Sequence, residues 1–358
     1  MTIRIAYITL SRRGGMIHYI RQLITHLPAN IDSILITRNI PDSIPKTTCY
    51  RFDLNFRDLY SGYRRIIRII RSFDPDIIHI TSGHILLVPL MRRFRCKPII
   101  VTLHDVIPHT GENTWLHRFI IGSQIRYATR IFVHGSLQKK ELIYAGVPEE
   151  KITIIPHGDY SFFRDQGNRE IPEEKSVLFF GRIVEYKGLN NLLTALIDLQ
   201  QEYPVKLIIA GEGDLEPYRK NLYRIDHRLL EVHNRYIGDQ EVASFFQRSE
   251  FIVLPYTDGS QTGIVPIAYA FHKPVVATDI GSFSEIIEDG KTGLLVPPND
   301  PEALKNAMVR LISDQTFRRQ LGENGYSKMQ KDMSWDTVLS RTIPVYNQTL
   351  EKTRDIHG

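Results

Sequence analysis

The sequence lacks several features that would define a specialised class of protein. Only two cysteines occur among 358 residues, Cys49 and Cys96, and their spacing matches neither a CxxC motif nor a set of metal ligands. This scarcity makes a reducing, cytosolic setting the default expectation. No apolar run approaches the roughly 20 residues that a membrane-spanning helix needs. The opening MTIRIAYITL is typical of a first strand rather than of a signal peptide.

A cofactor motif is absent as well, and the composition is that of a soluble globular protein. GxGxxG does not follow the first strand, which disfavours an NAD-dependent dehydrogenase. No internal repeat or low-complexity tract occurs, and hydrophobic residues make up 42% of the chain and charged residues 24%. A length of 358 residues is too great for one ordinary core and favours two domains.

Charge is distributed unevenly along the chain. Residues 1–165 contain 23 Lys and Arg against 13 Asp and Glu, a net charge of +10. Residues 166–358 contain 22 Lys and Arg against 27 Asp and Glu, a net charge of −5. The two parts together give the net charge of +5 of the whole chain. The basic half is suited to an anionic surface or a phosphorylated acceptor. We expect no nucleic-acid partner.

The first half alternates apolar runs with segments of helical spacing. After a strand at 3–9, Gly14 and Gly15 form a turn that leads into an apolar pattern with a three- and four-residue period. The two glycines alone are weak evidence for phosphate binding, because any tight strand-to-helix turn favours glycine. Alternating strands and helices predict a parallel sheet. Further strands are predicted at 33–37, 76–80, 98–103, 130–133 and 151–155.

A strand, a basic loop and a helix follow one another in SVLFFGRIVEYKGLNNLLTALIDL (176–199). Gly181 ends the apolar run, and Arg182 and Lys187 come before Gly188 and a segment of helical periodicity. In an open α/β sheet ligands bind at the carboxyl ends of the strands, so this loop is where a phosphate would be held. Alone, the two cations would be interpreted as surface residues.

The motifs GRIVEYKG, KLIIAGEG, RYIGDQEVASFFQRSEFIVLPY and PVVATDIGSFSEIIEDGKTGLLVPPNDPEAL stand at 181–188, 206–213, 235–256 and 274–304. In order and spacing they resemble the donor-binding half of the retaining glycosyltransferases of family 4 (glycosyl transferases group 1). The resemblance is specific over about 154–311. It implies an α/β protein with two Rossmann-like domains facing each other across a cleft (GT-B). The acceptor domain is then 1–165, the nucleotide-sugar domain 166–335, and a last helix at 336–358 crosses back to the first domain.

The same resemblance implies an activity. A sugar would pass from a UDP- or GDP-sugar to a hydroxyl of a saccharide or lipid-linked saccharide, in polysaccharide or glycan biosynthesis, with retention of configuration. Two alternatives are a non-catalytic glycosyltransferase-like subunit and a sugar-nucleotide 2-epimerase. The sequence has no DxD-like pair placed to hold a metal. Neither a metal nor another cofactor is expected, because in this fold cationic side chains and a helix end hold the diphosphate of the donor.

Resemblance also assigns roles to single residues. Arg182 and Lys187 would bind the donor diphosphate, and the physics agrees, because fixed cations are worth most where a leaving group gains charge. His104, in VTLHDVIPHTGE, matches the family histidine beside the transferred sugar, although a loop histidine is the structural alternative. His109 has no firm counterpart and is predicted only as an acceptor-side contact. The resemblance also predicts that Gly14, Gly15 and Gly238 bind the donor.

One departure from the family pattern concerns two glutamates that relatives carry eight positions apart. Alignment on the following proline puts Gly259 and Ile267 at these positions, and alignment on Gly263 puts Ala268 at the second. The second carboxylate, which binds ribose hydroxyls in relatives, is therefore missing. We expect sugar and phosphate contacts from side chains and amides before the next helix, although the same residues could simply cap that helix. These are Asp258, Ser260, Gln261, Thr262, Gly263 and Ile264.

Two basic stretches lie between strands of the first half. In LYSGYRRIIRIIRSF one helical face is apolar and arginines occupy much of the rest, and HILLVPLMRRFRCK ends in four cations. One interpretation is an ordinary domain helix with a solvated basic face. The other is peripheral attachment to the anionic inner face of the cell membrane, which relatives that act on lipid-linked acceptors commonly show. The predicted location is accordingly cytoplasmic, with this peripheral membrane contact.

Overall fold

The chain divides into two compact units. The computed structural model describes residues 2–11, 14–38, 44, 47–52, 59–104, 106, 115–166, 171–259 and 261–357. Unit 1 comprises Met1–Gly158 and Trp335–Gly358, and unit 2 comprises Asp159–Ser334.

Both unit boundaries differ slightly from the sequence expectation. Unit 1 ends at Gly158 rather than at 165, because Tyr160 and Phe163 are each 2% exposed and pack in the core of unit 2. Trp335, assigned by sequence to the second domain, belongs to unit 1. Its ring stacks on His26 with ring centres 5.6 Å apart. Side-chain packing in the two cores therefore sets both boundaries.

Unit 1 is built on a parallel sheet. Its described residues form seven strands in the order β3-β2-β1-β4-β5-β6-β7, and every pairing is parallel. The strands are β1 (Ile3–Thr9), β2 (Ile31–Thr37), β3 (Thr47–Arg51), β4 (Ile77–Ile80), β5 (Ile99–Thr102), β6 (Arg130–Val133) and β7 (Ile152–Ile154). The helices between them are α1 (Gly15–Thr25), α2 (Leu59–Phe73), α3 (Leu87–Arg93), α4 (Trp115–Tyr127) and α5 (Ser136–Tyr144).

Central strands of unit 1 such as β1 are apolar on both faces because helices cover both sides of the sheet. Ile5 and Tyr7 of β1 join the core on one face, while Ala6 and Ile8 join the core on the other. This alternation follows from the two-residue period of a strand. A near-continuous apolar run is what a doubly covered parallel strand requires.

Helix α2 uses its apolar face in the core of unit 1. Ile66 and Ile70 are 2% and 1% exposed, and they pack with the strands and with α3. The opposite face is exposed and basic. No helix in the described part of the chain is both long enough and apolar enough to cross a lipid bilayer. The exposed arginines of this helix are Arg64, Arg65, Arg68 and Arg71.

Unit 2 repeats the architecture, so the predicted pair of parallel α/β domains is confirmed. Its described residues form six parallel strands in the order β10-β9-β8-β11-β12-β13. These are β8 (Ser176–Phe180), β9 (Lys206–Ala210), β10 (Leu230–His233), β11 (Phe251–Leu254), β12 (Val275–Thr278) and β13 (Gly293–Val296). The helices are α6 (Phe162–Gln166), α7 (Leu189–Leu199), α8 (Arg219–Leu222), α9 (Asp239–Arg248), α10 (Ile264–Ala270), α11 (Phe283–Ile286), α12 (Pro301–Ser313) and α13 (Gln315–Asp332).

The last helix, α14 (Trp335–His357), is tied to the unit 1 sheet by buried polar groups. The Tyr346 hydroxyl shares a hydrogen bond of 2.7 Å with His79 Nδ1 and one of 3.3 Å with the Tyr7 hydroxyl. His79 Nε2 shares another, of 2.8 Å, with Thr102 Oγ1. Both ring nitrogens of a buried histidine are thus satisfied, which removes the cost of burying them. Tyr346 therefore holds the helix to the sheet through its hydroxyl.

The buried histidine makes stability depend on pH. Burial lowers the pKa of His79 from 6.5 to about 3. Between these values the unfolded chain binds a proton that the folded protein does not, so stability falls as the pH drops below 6.5. From pH 6.5 to 5, we expect His79 to reduce the unfolding free energy by about 2 kcal/mol. Urea unfolding across this range measures the effect.

The variant His79→Gln separates this contribution from that of other groups. It should be less stable at neutral pH, because an amide cannot reproduce both ring hydrogen bonds, yet its urea midpoint should change less with pH. Equal pH dependence in the two proteins would show that His79 is not the responsible group.

Candidate functional site

The cationic site of unit 2 begins where strand β8 ends. Gly181 and Arg182 follow the strand, and Lys187 closes a short 3-10 turn before Gly188 and helix α7. Gly188 has a φ of +67°, and a Cβ atom there would lie 1.8 Å from the Pro255 carbonyl oxygen. Glycine is required for this close approach of two backbone segments. The turn that presents Lys187 is therefore fixed against the end of β11.

The side chain of Lys187 is buried and bound to a tyrosine. Its Nζ atom donates a hydrogen bond of 2.5 Å to the Tyr256 hydroxyl and lies 4.4 Å from the centre of the Tyr256 ring. Lys187 is 8% exposed and Tyr256 is 2% exposed. Burial raises the pKa of Tyr256, while the Thr262 hydroxyl and the Arg182 charge act to lower it. Tyr256 is thus the centre of the predicted diphosphate site.

Arg182 belongs to the same site but is exposed. Its Nη2 atom donates a hydrogen bond of 3.3 Å to the Tyr186 hydroxyl, four residues further along the chain. A Cβ atom on Gly181 would lie 3.3 Å from both Lys187 Nζ and Ile264 Cδ1. The carboxyl edge of the unit 2 sheet therefore gathers four predicted residues around Tyr256: Arg182, Lys187, Thr262 and Ile264.

The loop before α10 is partly buried and caps the helix. Gln261 and Thr262 are 8% and 5% exposed. Thr262 Oγ1 accepts a hydrogen bond of 3.1 Å from the Ile264 amide, and Gly263 is the N-cap residue. The Ile264 amide, expected to be available to a phosphate, is therefore already bonded to Thr262. Ser260 lies outside the described residues.

Asp258 and Gly238 make local contacts. The Gly259 amide donates a hydrogen bond of 2.7 Å to Asp258 Oδ1. Gly238 is the N-cap residue of α9, and its amide donates to Glu241 Oε2 at 3.3 Å. Their contacts with the sugar donor stay predictions.

The positions of the missing glutamate are apolar. Ile267 is 7% exposed and Ala268 is fully buried, and both belong to the core that contains Tyr256. Helix α10 therefore offers no carboxylate at either aligned position. Gly259, aligned with the other glutamate, has a φ of +136°.

Unit 1 contains a cavity of about 400 Å³ at the carboxyl ends of its strands. The β1–α1 connection borders it through Ser11 and Met16, which flank Gly14 and Gly15. His104, two residues after the end of β5, lines the same cavity. Three predicted residues of unit 1 are thus placed in or beside one cavity. Its further lining residues are Thr81, Ser82, Gly83, Thr102, Leu103, Leu116, His117, Ile120, Ile121 and Gln124.

Three histidines follow the neighbouring strands β5, β6 and β7. The ring centre of His104 lies 6.3 Å from that of His134 and 5.6 Å from that of His157, and the latter two are 4.6 Å apart. His134 Nδ1 donates a hydrogen bond of 2.9 Å to the Ile155 carbonyl oxygen. Among the described residues, no three His, Cys, Asp or Glu side chains are grouped so that they could hold a metal ion. His109 lies outside the described residues.

Sequence reasoning overlooked two residues of these sites, His134 and Tyr256. Each follows the end of a buried strand by one or two positions. Polar residues at strand ends were the available signal, because carboxyl ends of parallel strands meet at one edge.

Comparison with known protein families gives matches to both halves of the chain. Residues 162–328 match the model for glycosyl transferases group 1, and residues 13–158 match the model for glycosyltransferase family 4. A glycosyltransferase of uncharacterised specificity from Methanocaldococcus jannaschii is 32% identical over 81% of this chain and 80% of its own length. A second one from this organism is 27% identical over 62% of this chain and 60% of its own length. The phosphatidyl-myo-inositol mannosyltransferase of Mycobacterium tuberculosis is 32% identical over 79% of this chain and 76% of its own length.

Solved structures share the fold at low sequence identity. Sucrose-phosphate synthase from Thermosynechococcus elongatus has a TM-score of 0.78 with 20% identity, covering 98% of this chain and 100% of that one. HepE from Anabaena, in complex with UDP and glucose, has a TM-score of 0.76 with 17% identity, covering 96% and 99%. These similarities show the GT-B fold.

The turn that presents Lys187 predicts a steric effect of substitution. Gly188→Ala should lower the unfolding free energy by well over 3 kcal/mol, because left-handed backbone costs an L-residue about 1–2 kcal/mol and the new Cβ also meets a carbonyl oxygen. Gly290, with a φ of +70° and no heavy atom within 4 Å of a built Cβ, is the matched control. Gly290→Ala should cost only the backbone part. Equal losses in thermal or urea unfolding would contradict the close approach at Gly188.

Proposed function

Since the chain belongs to the family 4 glycosyltransferases (glycosyl transferases group 1), we propose that it moves a sugar from a UDP- or GDP-activated donor to a hydroxyl of a saccharide, and that the acceptor is lipid-linked. The observation that carries this proposal is the pair of cations at the carboxyl edge of the unit 2 sheet. Lys187 is buried there on Tyr256, and Arg182 follows the same strand.

The two cations suit a departing nucleoside diphosphate. Negative charge develops on the leaving group as the glycosidic bond breaks, and preorganised charges in a poorly hydrated site stabilise it strongly. Arg182 can bind two oxygens at once, while Lys187 acts as a point charge. A structural neighbour, HepE, binds UDP and glucose.

The proposed reaction keeps the anomeric configuration and forms an α-linkage. The acceptor hydroxyl attacks the anomeric carbon on the same face from which the leaving group departs. No protein nucleophile is therefore required. In this proposal His104 contacts the transferred sugar, and cations rather than a metal neutralise the diphosphate. The loop at 258–264 supplies sugar and phosphate contacts, in place of the glutamate that Ile267 and Ala268 do not provide.

The cavity of unit 1 supports an amphiphilic acceptor. Hydroxyl, amide and imidazole groups line it together with apolar side chains from α4. The outer side of the same helix exposes Trp115 to 78% and Phe119 to 49%. A saccharide could bind the polar groups while an apolar chain lies against these aromatic residues. The name of the Mycobacterium tuberculosis relative also specifies a lipid acceptor for that enzyme.

Contact with the anionic inner face of the cell membrane is the remaining part of the proposal. Four arginines of α2 are exposed, and Arg92, Arg93 and Arg95 are exposed at the end of α3. Because the apolar face of α2 packs in the core, this contact would be electrostatic rather than an insertion of that helix.

The first test of the donor site uses Arg182→Ala. A thermal-shift screen of the wild-type protein with UDP- and GDP-sugars identifies the donor, because a ligand of the native state raises the melting temperature. With that donor, Arg182→Ala should lower the transfer rate on the order of 10² or more, by analogy with the loss of an oxyanion donor. Arg219→Ala is the control, because Arg219 Nε donates to the Tyr223 hydroxyl in the same four-residue spacing. A near-normal rate for Arg182→Ala would count against the site.

The membrane contact predicts charge-dependent binding to vesicles. Replacing Arg64, Arg65 and Arg68 with Gln should weaken binding to phosphatidylserine-containing vesicles roughly 100-fold, since each cation near the surface contributes about 1 kcal/mol. Cosedimentation measures the affinity, with pure phosphatidylcholine vesicles as the uncharged reference. The control replaces the same number of exposed unit 2 cations: Arg219, Lys220 and Arg224. Equal weakening by both sets would refute a specific basic surface on unit 1.

A further inference from the structure

We propose that Tyr256 is a positioning residue that fixes the ammonium group of Lys187 for contact with the diphosphate of the donor. This inference rests on the proposed function, since it assigns Lys187 to that diphosphate. Tyr256 itself would act through Lys187, without bonding to the reacting atoms.

The contact between the two residues restricts a flexible side chain. A lysine side chain has four methylene groups, and fixing it in one conformation costs conformational entropy. Here Lys187 Nζ is bound by the Tyr256 hydroxyl at 2.5 Å and lies 4.4 Å from the ring centre. Tyr256 is 2% exposed, so its own position is set by core packing. The entropy is therefore lost on folding rather than when the donor binds.

The chemistry of the pair adds no negative charge to the site. An ammonium group has only donors, so the Tyr256 oxygen must be the acceptor. A neutral phenol does not cancel the positive charge as a carboxylate would. Tyr256 thus provides geometry without neutralising the charge that a leaving diphosphate needs.

The surroundings of the Tyr256 ring extend this effect to the neighbouring loop. Tyr256 follows β11, while Lys187 follows β8, and these two strands are paired in the sheet. The Thr262 hydroxyl forms a hydrogen bond with the Tyr256 hydroxyl. It also accepts a hydrogen bond from the Ile264 amide. The hydroxyl of Tyr256 therefore connects the lysine turn with the loop that begins α10.

The same core contains a matched control residue. Tyr269 is fully buried in the cluster that contains Tyr256, and its hydroxyl donates to Thr292 Oγ1 at 2.8 Å. Tyr256→Phe and Tyr269→Phe each remove one buried hydroxyl and keep the ring. Their effects on melting temperature should be similar, whereas only Tyr256→Phe removes the Lys187 contact.

The test is a double-mutant cycle with UDP and GDP as probes, measured by isothermal titration calorimetry. For the nucleotide that binds the wild-type protein, Lys187→Ala should weaken binding roughly 100-fold and Tyr256→Phe about 10-fold. The double variant should bind within about threefold of Lys187→Ala alone, because the hydroxyl acts through the lysine. Tyr269→Phe should stay within about twofold of the wild type.

The outcomes separate this inference from the proposed function. Wild-type affinity in Tyr256→Phe, or a double variant in which the two losses simply multiply, overturns the positioning role while the donor site stands. Wild-type affinity in Lys187→Ala, or no binding of either nucleotide to the wild-type protein, overturns the proposed donor site and the positioning role together. A loss in Tyr269→Phe equal to that in Tyr256→Phe shows a general packing effect and also overturns the positioning role.

Discussion

Covering both faces of each parallel sheet with apolar side chains is the constraint on which the rest of the structure depends. Strand residues alternate between two buried cores, as Val177 and Leu178 do in unit 2, so most strand positions are apolar. Polar groups are placed where strands end. Lys187 and Tyr256 follow the paired strands β8 and β11, and His104 follows β5 in unit 1. The strand order therefore decides which of these groups become neighbours.

The same constraint determines the state of the polar groups that are buried. His79 is kept neutral and bonded at both ring nitrogens, since a charged imidazole would lose its hydration. The half-buried Arg248 is compensated by Glu174 and Glu231, and its hydrogen bond to Glu231, with those from His233 and Lys206, lowers the pKa of Glu231 to about 2. Lys187 donates a hydrogen bond to the Tyr256 phenol, a neutral group that holds the ammonium without adding a negative charge.

The sequence at the start of α10 changes what the site can offer a donor. Ile267 and Ala268 contribute to the core at the positions aligned with a glutamate of relatives. The Ile264 amide donates a hydrogen bond to the Thr262 hydroxyl, so one of the amides expected to bind phosphate is already bonded. In the proposed function, donor recognition would then depend more on the two cations and on the polar loop residues than on a ribose-binding carboxylate.

The sequence alone determined the fold class, the family and the cationic loop, because these depend on local periodicity and on motifs of a few residues. It missed the edge strands β3 and β10 and the helix α13, which are polar and carry weak periodic signals. Only the tertiary structure decided that Lys187 meets Tyr256, 69 positions away, and that His79 meets Tyr346, 267 positions away. Such pairs follow from strand order and helix docking, which bring together residues that no local pattern connects.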